Sequence, residues 1–407
     1  MRAVTFDFSI PRYVLGLALG GFSDGAVFGR LSGVRLSEVP APGLPGDRWI
    51  GAEVIAAGIC GTDIGNLTFK TSPLMEPFAS FPCVLGHEVL ARVTDVGSGV
   101  TRVRPGQRIV IDPVVSCTVR GYPDDARCGP CSAGAPGLCA RAGESGRLAR
   151  GLTLGYHRDL PGGWGERLVA HETQVYPVAE ALDDRTAVLT EPLSVAVHAV
   201  LRTLTDAPER VLVIGSGPIA FATIWALRAL GYDGQIVAQA KRAAERELAE
   251  RLGATQTVAP GDEARSAMMR TGAAAYRPPV GPEVYAGGGF PLIYDCVGSR
   301  QTLDQSLRFV APRGKLVLLG CAGARKLDLT MVWAREATVE GVVVYGRERW
   351  EGETLHTFEL TQRLLLAAHG SVADLVTHTY PLHQYRSALA AARHRATSGS
   401  VKVLLTP

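Results

Sequence analysis

The sequence predicts an α/β protein: a β-rich, barrel-like unit over residues 1–187, a doubly wound parallel sheet over 188–345, and a return to the first unit over 346–407. Three observations carry this. The chain has 407 residues, more than the roughly 250 to 300 that one hydrophobic core organises. Up to about Ala187 it runs in short Val-, Ile- and Leu-rich stretches broken by Gly and Pro, such as Arg108–Pro113, the pattern of short strands joined by turns. From Glu191 onward helical and strand periods alternate, which makes βαβ units and a parallel sheet.

Within the second unit, Pro192–Leu201 reads as a helix, Arg210–Ile214 as a buried strand, Pro218–Leu230 as a helix and Gln235–Ala238 as the next strand. A helix over Ala243–Leu252 follows, with Gly231 and Gly253 as left-handed stops after the two helices. Further strands are expected at Leu292–Cys296, Lys315–Gly320 and Val339–Tyr345. The Gly- and Ala-rich stretch Ala259–Gly289 is expected to be an extended or irregular insertion. The closing Val401–Leu405 is expected to pair back into the first unit.

Composition narrows the function classes. Hydrophobic residues are 46% and charged residues 20% of the chain, the balance of a packed globular protein. Lys and Arg number 42 against 39 Asp and Glu, a net charge of +3, and no block of like charge suggests a nucleic-acid or membrane partner. The apolar run Tyr13–Phe22 follows Asp7 and is shorter than the ~20 residues that span a bilayer, so a cytoplasmic location is expected. Of eight cysteines, Cys128, Cys131 and Cys139 fall within twelve residues, which suggests metal before disulfides. Cys83, Cys296 and Cys321 carry no motif and read as buried packing residues.

Val211–Ile214 is followed directly by Gly215-Ser216-Gly217-Pro218-Ile219-Ala220 and a helical stretch, the strand, turn and helix order of a Rossmann dinucleotide site. Gly215 permits the tight turn, Gly217 lets the backbone approach a pyrophosphate, and Ala220 is small enough for close packing. Pro218 sets the first turn of the helix, and the amides from Ile219 onward are donors available to phosphate. The alternative is a plain tight loop. An acid about 20 residues on would bind the adenosine ribose, yet the second strand ends in Gln239-Ala240-Lys241-Arg242. Lys241 and Arg242 suit the 2′-phosphate of NADP, although a solvated helix start would read the same. NADP is favoured and NAD stays open.

Gly58-Ile59-Cys60-Gly61-Thr62-Asp63, Gly86-His87-Glu88 and Glu191 supply a thiolate, an imidazole and carboxylates, all zinc ligand types. Singly they have plainer readings: Cys60 as a small buried hydrophobe, His87 as a hydrogen-bonded core residue, and Glu191, ahead of Pro192, as an acid at a positive helix end.

In this combination and order the chain resembles the zinc-containing medium-chain dehydrogenases, in particular the branch with sorbitol, threonine and glucose dehydrogenases. The resemblance rests on Cys60-Gly61-Thr62-Asp63, Gly86-His87-Glu88, Thr190-Glu191-Pro192-Leu193-Ser194-Val195-Ala196 and the glycine turn, and covers nearly the whole chain. It implies a GroES-like catalytic domain followed by a Rossmann domain. It also implies that Cys60, His87 and a glutamate bind catalytic zinc, with Glu88 and Glu191 exchanging between the metal and the layer behind it. Glu191, where many alcohol dehydrogenases have cysteine, points to the polyol branch.

Cys128-Gly129-Pro130-Cys131 with Cys139 resembles the family's structural zinc lobe. Its fourth ligand is Cys117, with Thr118–Arg127 as an inserted loop, or Asp125 by strict spacing; Cys117 is favoured because four thiolates are the commoner closed site. The family's chemistry implies zinc acting as a Lewis acid on an alcohol or polyol while hydride passes to NADP or NAD. Thr62 would then carry the proton, unless it only caps the following turn. Asp63 and Glu88 would orient the ligands, and no relay histidine stands in Asp63–Asn66. A homodimer or homotetramer is expected. The rivals are a zinc-free quinone or enoyl reductase of the same fold, and a zinc-ribbon module serving protein or nucleic acid.

Overall fold

The computed structural model of the chain describes residues 1–19, 24–29, 32–367 and 372–407. These form two compact units, the first from Met1–Glu191, Tyr345–Ala367 and Ala373–Pro407, the second built on Pro192–Val344.

The first unit centres on the strand Trp49–Gly58, whose Ile50, Ala52, Val54, Ala56 and Ala57 are all buried. Burial on alternate and adjacent positions alike means that both faces of this strand are covered. Among the described residues it belongs to a seven-stranded sheet, pairing with Glu88–Val96, Arg167–His171 and the C-terminal Lys402–Thr406. The last of these sets Leu404 and Leu405 against Gly58 and Ala57. A smaller sheet of three strands orders Val34–Glu38, Arg2–Phe6 and Cys83–Val84.

The second unit is a six-stranded parallel sheet among the described residues, in the order Gln256–Val258, Gln235–Gln239, Arg210–Ile214, Phe290–Asp295, Val310–Leu318, Thr338–Gly341. Arg210–Ile214 sits inside it with Val211, Leu212, Val213 and Ile214 buried. The helices Pro218–Ala229 and Ala243–Arg251 end ahead of Gly231 and Gly253, both left-handed at φ 84° and 111°.

Three expectations need correction. Ala259–Gly289 holds a helix, Asp262–Arg270, and a hairpin of Ala274–Tyr276 with Val284–Ala286. Asp262 and Glu263 favour the helix N-terminus, and Ala264, Ala267 and Met268 bury one stripe, a pattern that the glycine content obscures. The strand expected over Val339–Tyr345 stops at Gly341. Of the unassigned cysteines only Cys83 is buried; Cys296 is half-buried and Cys321 exposed. Near the N-terminus, Ile10–Leu19 is a helix; residues 20–22 of the apolar run lie outside the described residues. No helix among the described residues is long and apolar enough to cross a membrane.

Candidate metal and cofactor sites

Cys60 follows the end of the Trp49–Gly58 strand and immediately precedes the helix Gly61–Leu67. Glu88 opens the neighbouring antiparallel strand, in register with Gly58, and His87 is the residue before it. Adjacent strand ends thereby bring three donors together, with ligand atoms of Cys60, His87 and Glu88 within 4.8 Å of one another. The approach leaves no room for a side chain at Gly58: a Cβ there would stand 1.8 Å from Glu88 Oε2.

Glu88 cannot yield to such pressure, because Lys402 Nζ donates to both its carboxylate oxygens at 2.6 Å and to the Ile59 carbonyl at 3.3 Å. Lys402 and Glu88 are each 1% exposed. Burial alone would depress the Lys402 ammonium, but the charge of Glu88 outweighs it and the pKa rises.

His87 is oriented from the other side. Its Nδ1 makes no hydrogen bond among the described residues and stands 3.5 Å from Asp63 Oδ1. Asp63 is fully buried; it accepts the Cys60 backbone N–H at 2.9 Å and the Tyr156 hydroxyl at 2.5 Å. Burial works to raise the Asp63 pKa, yet His87 and these donors bring it below the ordinary carboxylate value. For His87 burial pulls down and Asp63 pulls up more strongly, leaving the imidazole well above its usual pKa.

Glu191 lies in the first turn of the helix Thr190–Thr203 and is not part of the closely grouped trio. It is buried, and its Oε1 accepts the Tyr345 hydroxyl at 3.1 Å. Burial, reinforced by the charge of Glu88, raises its pKa to about 7. Thr62 is half-buried in the first turn of Gly61–Leu67, and its hydroxyl has no hydrogen bond among the described residues. A thiol, an imidazole backed by a buried carboxylate at its Nδ1, and a second carboxylate make a donor set that fits zinc.

The second cluster joins Cys117, Cys128, Cys131 and Cys139, with ligand atoms again within 4.8 Å of one another. Cys117 Sγ is 3.7 Å and Cys128 Sγ 3.9 Å from Cys139 Sγ. Four thiolates at ~2.3 Å from a tetrahedral zinc stand about 3.8 Å apart, so these separations suit a metal. They are far beyond the ~2.05 Å of a disulfide bond. The thiols already share protons unevenly: the hydrogen bond from Cys131 brings Cys139 down to about 5, while Cys131 itself is pushed up. Asp125, the alternative to Cys117, is outside this group.

In the second unit the strand Arg210–Ile214 turns at Gly215 into the helix Pro218–Ala229, with Gly217 at its N-cap and Pro218 in the first turn. Gly215 has φ 127°, and a Cβ there would meet Val297 Cγ2 at 3.0 Å. The cradle therefore fits a dinucleotide, with the first helical amides beyond Gly217, including Ile219, lacking intrahelical partners. At the end of Gln235–Gln239, the Gln239 amide pairs with Gln305 at 3.1 and 2.5 Å. Lys241 is exposed, whereas Arg242 is engaged by Glu245 at 2.5 Å, so the two cations expected to act alike are in different states.

Comparison with known proteins decides the family. The chain matches the alcohol dehydrogenase GroES-like domain over residues 46–180 and the zinc-binding dehydrogenase domain over 218–359. It is 30% identical to the starvation-sensing protein RspB of Escherichia coli K12 over 70% of this chain and 71% of that one. The chain belongs to the zinc-containing medium-chain dehydrogenases. This dehydrogenase is also 27% identical to L-galactonate-5-dehydrogenase of E. coli K12, over 80% of this chain and 86% of the other. A Sinorhizobium meliloti 1021 protein assigned as a zinc-binding dehydrogenase and solved bound to NADP aligns with a TM-score of 0.70 at 27% identity, covering 92% of this chain and 95% of that one. The dehydrogenase is thus an oxidoreductase acting on CH–OH groups with zinc and a nicotinamide cofactor, on a GroES-like domain and a Rossmann sheet. The zinc-free reductase and the zinc-ribbon module find no support in these likenesses.

Sequence reasoning missed Lys402, Tyr156 and Tyr345. A lysine inside the apolar run Val401–Leu405 was the one available signal, since a central strand buries charge only when it is paired. Tyr156 and Tyr345 carried none, being distant in sequence from the carboxylates they meet.

Proposed function

We propose that the dehydrogenase oxidises a secondary hydroxyl of a polyol, sugar or related alcohol to the carbonyl, with NADP as the preferred acceptor. The reading assigns catalytic zinc to Cys60, His87 and a glutamate, Glu88 with Glu191 as its exchange partner, and structural zinc to Cys117, Cys128, Cys131 and Cys139. The observation that carries it is the grouping of the Cys60, His87 and Glu88 donor atoms within 4.8 Å. When bound, catalytic zinc supplies Lewis acidity toward the substrate oxygen. The residues of this chain then have separate tasks. Lys402 holds Glu88, Tyr345 holds Glu191, and the free hydroxyl of Thr62 moves the proton. Gly215, Gly217, Pro218 and Ile219 cradle the pyrophosphate.

The NADP preference rests on chemistry at the end of Gln235–Gln239. A neutral amide occupies the strand end, the nearby Glu245 is neutralised by Arg242, and Lys241 is free to meet a 2′-phosphate. The experiment is zinc analysis together with cofactor reduction over a panel of polyols, sugar acids and secondary alcohols. Expected are two zinc ions per chain and a kcat/KM for NADP roughly tenfold or more above NAD, the worth of one charge-assisted contact. Zinc-replete protein that oxidises nothing on the panel would sink the hydroxyl-oxidation reading, and preference for NAD would remove the role of Lys241.

We further assign a homo-oligomer built on a twofold dimer, dimer or tetramer, in the cytoplasm. Thr338–Gly341 ends the parallel sheet with its outer edge unpaired among the described residues. Leu329 and Trp333 beside it are 60% and 82% exposed, and Val339 and Val343 are 43% and 52% exposed. An open edge flanked by apolar side chains is stabilised by pairing with a second copy. Light scattering is expected to give a multiple of 43.1 kDa, and Trp333→Glu to shift it toward the monomer; a wild-type monomer would refute the assignment. Four clustered thiols survive as metal ligands in a reducing compartment, which supports the cytoplasm.

A further inference from the structure

Tyr156 stands 93 residues from Asp63 in sequence, yet its hydroxyl donates to Asp63 Oδ1 at 2.5 Å. The same Oδ1 lies 3.5 Å from His87 Nδ1, while Oδ2 accepts the Cys60 backbone N–H at 2.9 Å. One fully buried carboxylate therefore touches the ring of one donor residue and the backbone of another. The Tyr156 ring also lies against the His87 ring, centroids 6.0 Å apart. The backbone contact alone leaves the carboxylate able to tilt about the bond to its Cβ. The Tyr156 hydroxyl fixes that tilt from the side facing His87.

We infer that Tyr156 is a positioning residue for catalytic zinc, acting through Asp63 to set the orientation of His87 and Cys60. The inference rests on the reading that these two residues are zinc ligands. A carboxylate behind a ligating histidine fixes its ring and tautomer, and loss of such a partner weakens metal binding ~10–100-fold. Removing the hydroxyl that immobilises the carboxylate acts on the same quantity.

The test uses the full-length, zinc-loaded enzyme and measures the affinity of each zinc site by chelator competition, with the four-cysteine site as an internal control. Tyr156→Phe is expected to weaken one site ~10–100-fold, leave the other at its wild-type affinity, and alter the visible spectrum of the cobalt-substituted catalytic site. Asp63→Asn is expected to weaken the same site at least as much. Because the two residues act as one unit, the double variant should be no weaker than Asp63→Asn alone; a purely structural role would add. Both zinc affinities within about twofold of wild type in Tyr156→Phe, or additive losses in the double variant, would overturn the inference. A Cys60→Ala protein that still binds two zinc ions would instead remove the ligand reading on which it depends.

Discussion

Replacing Cys60 by alanine is expected to lower kcat/KM for alcohol oxidation by ~10³-fold or more, about 4 kcal/mol of transition-state stabilisation. Zinc content is expected to fall from two ions to one per chain. The thiol is the softest donor of the grouped trio and its one sulfur, and a harder carboxylate oxygen from Glu88 or Glu191 does not reproduce a thiolate ligand. The cysteine cluster shares no ligand with this site, so its retained zinc reports that the variant is folded. Steady-state kinetics and metal analysis on one preparation check both parts. Activity within about tenfold of wild type, less than 1.4 kcal/mol, would mean that Cys60 does not hold the working metal.

The second large effect is on stability. Lys402→Met keeps the length of the side chain but leaves Glu88 as a buried carboxylate without its cation. Breaking a buried pair from one side costs about 3–5 kcal/mol, because the remaining charge is desolvated and unpaired. With the metal removed by chelator, so that no other cation compensates Glu88, the urea midpoint should fall accordingly. Adding Glu88→Gln to Lys402→Met should recover a large part of the loss, since it removes the stranded charge. A single variant as stable as wild type, or a double variant less stable than the single, would show that the pair does not hold this part of the fold.

These two residues mark where sequence reading reached and where it stopped. Cys60 was legible because thiol, threonine and acid follow within four positions and the histidine and glutamate come as a pair. Cys117 could be weighed against Asp125 because a closed zinc site prefers four thiolates. Lys402 was not legible: it lies 314 residues from Glu88, in a strand where Lys402, Val403, Leu404 and Leu405 are all buried. With both sheet faces covered, alternation gives no sign of which way a side chain points. Arg242 shows the reverse case, a cation readable as a phosphate contact that Glu245, three residues on, engages in the fold.

What the sequence determined by itself is local in origin. The glycine turn after Arg210–Ile214 depends on residues that are neighbours along the chain, as do the helix stops at Gly231 and Gly253 and the pairing of His87 with Glu88, and their conformational limits are readable without a fold. Tertiary structure decided the rest: that Gly58 must lack a side chain so that Glu88 fits, that Lys402 closes over that carboxylate, and that Tyr156 and Tyr345 each supply a hydroxyl to a buried acid. Those partners come from strands and loops far apart in sequence. A buried charge is stable only where the folded chain brings it a counterpart, and no stretch of sequence on its own says which residue that will be.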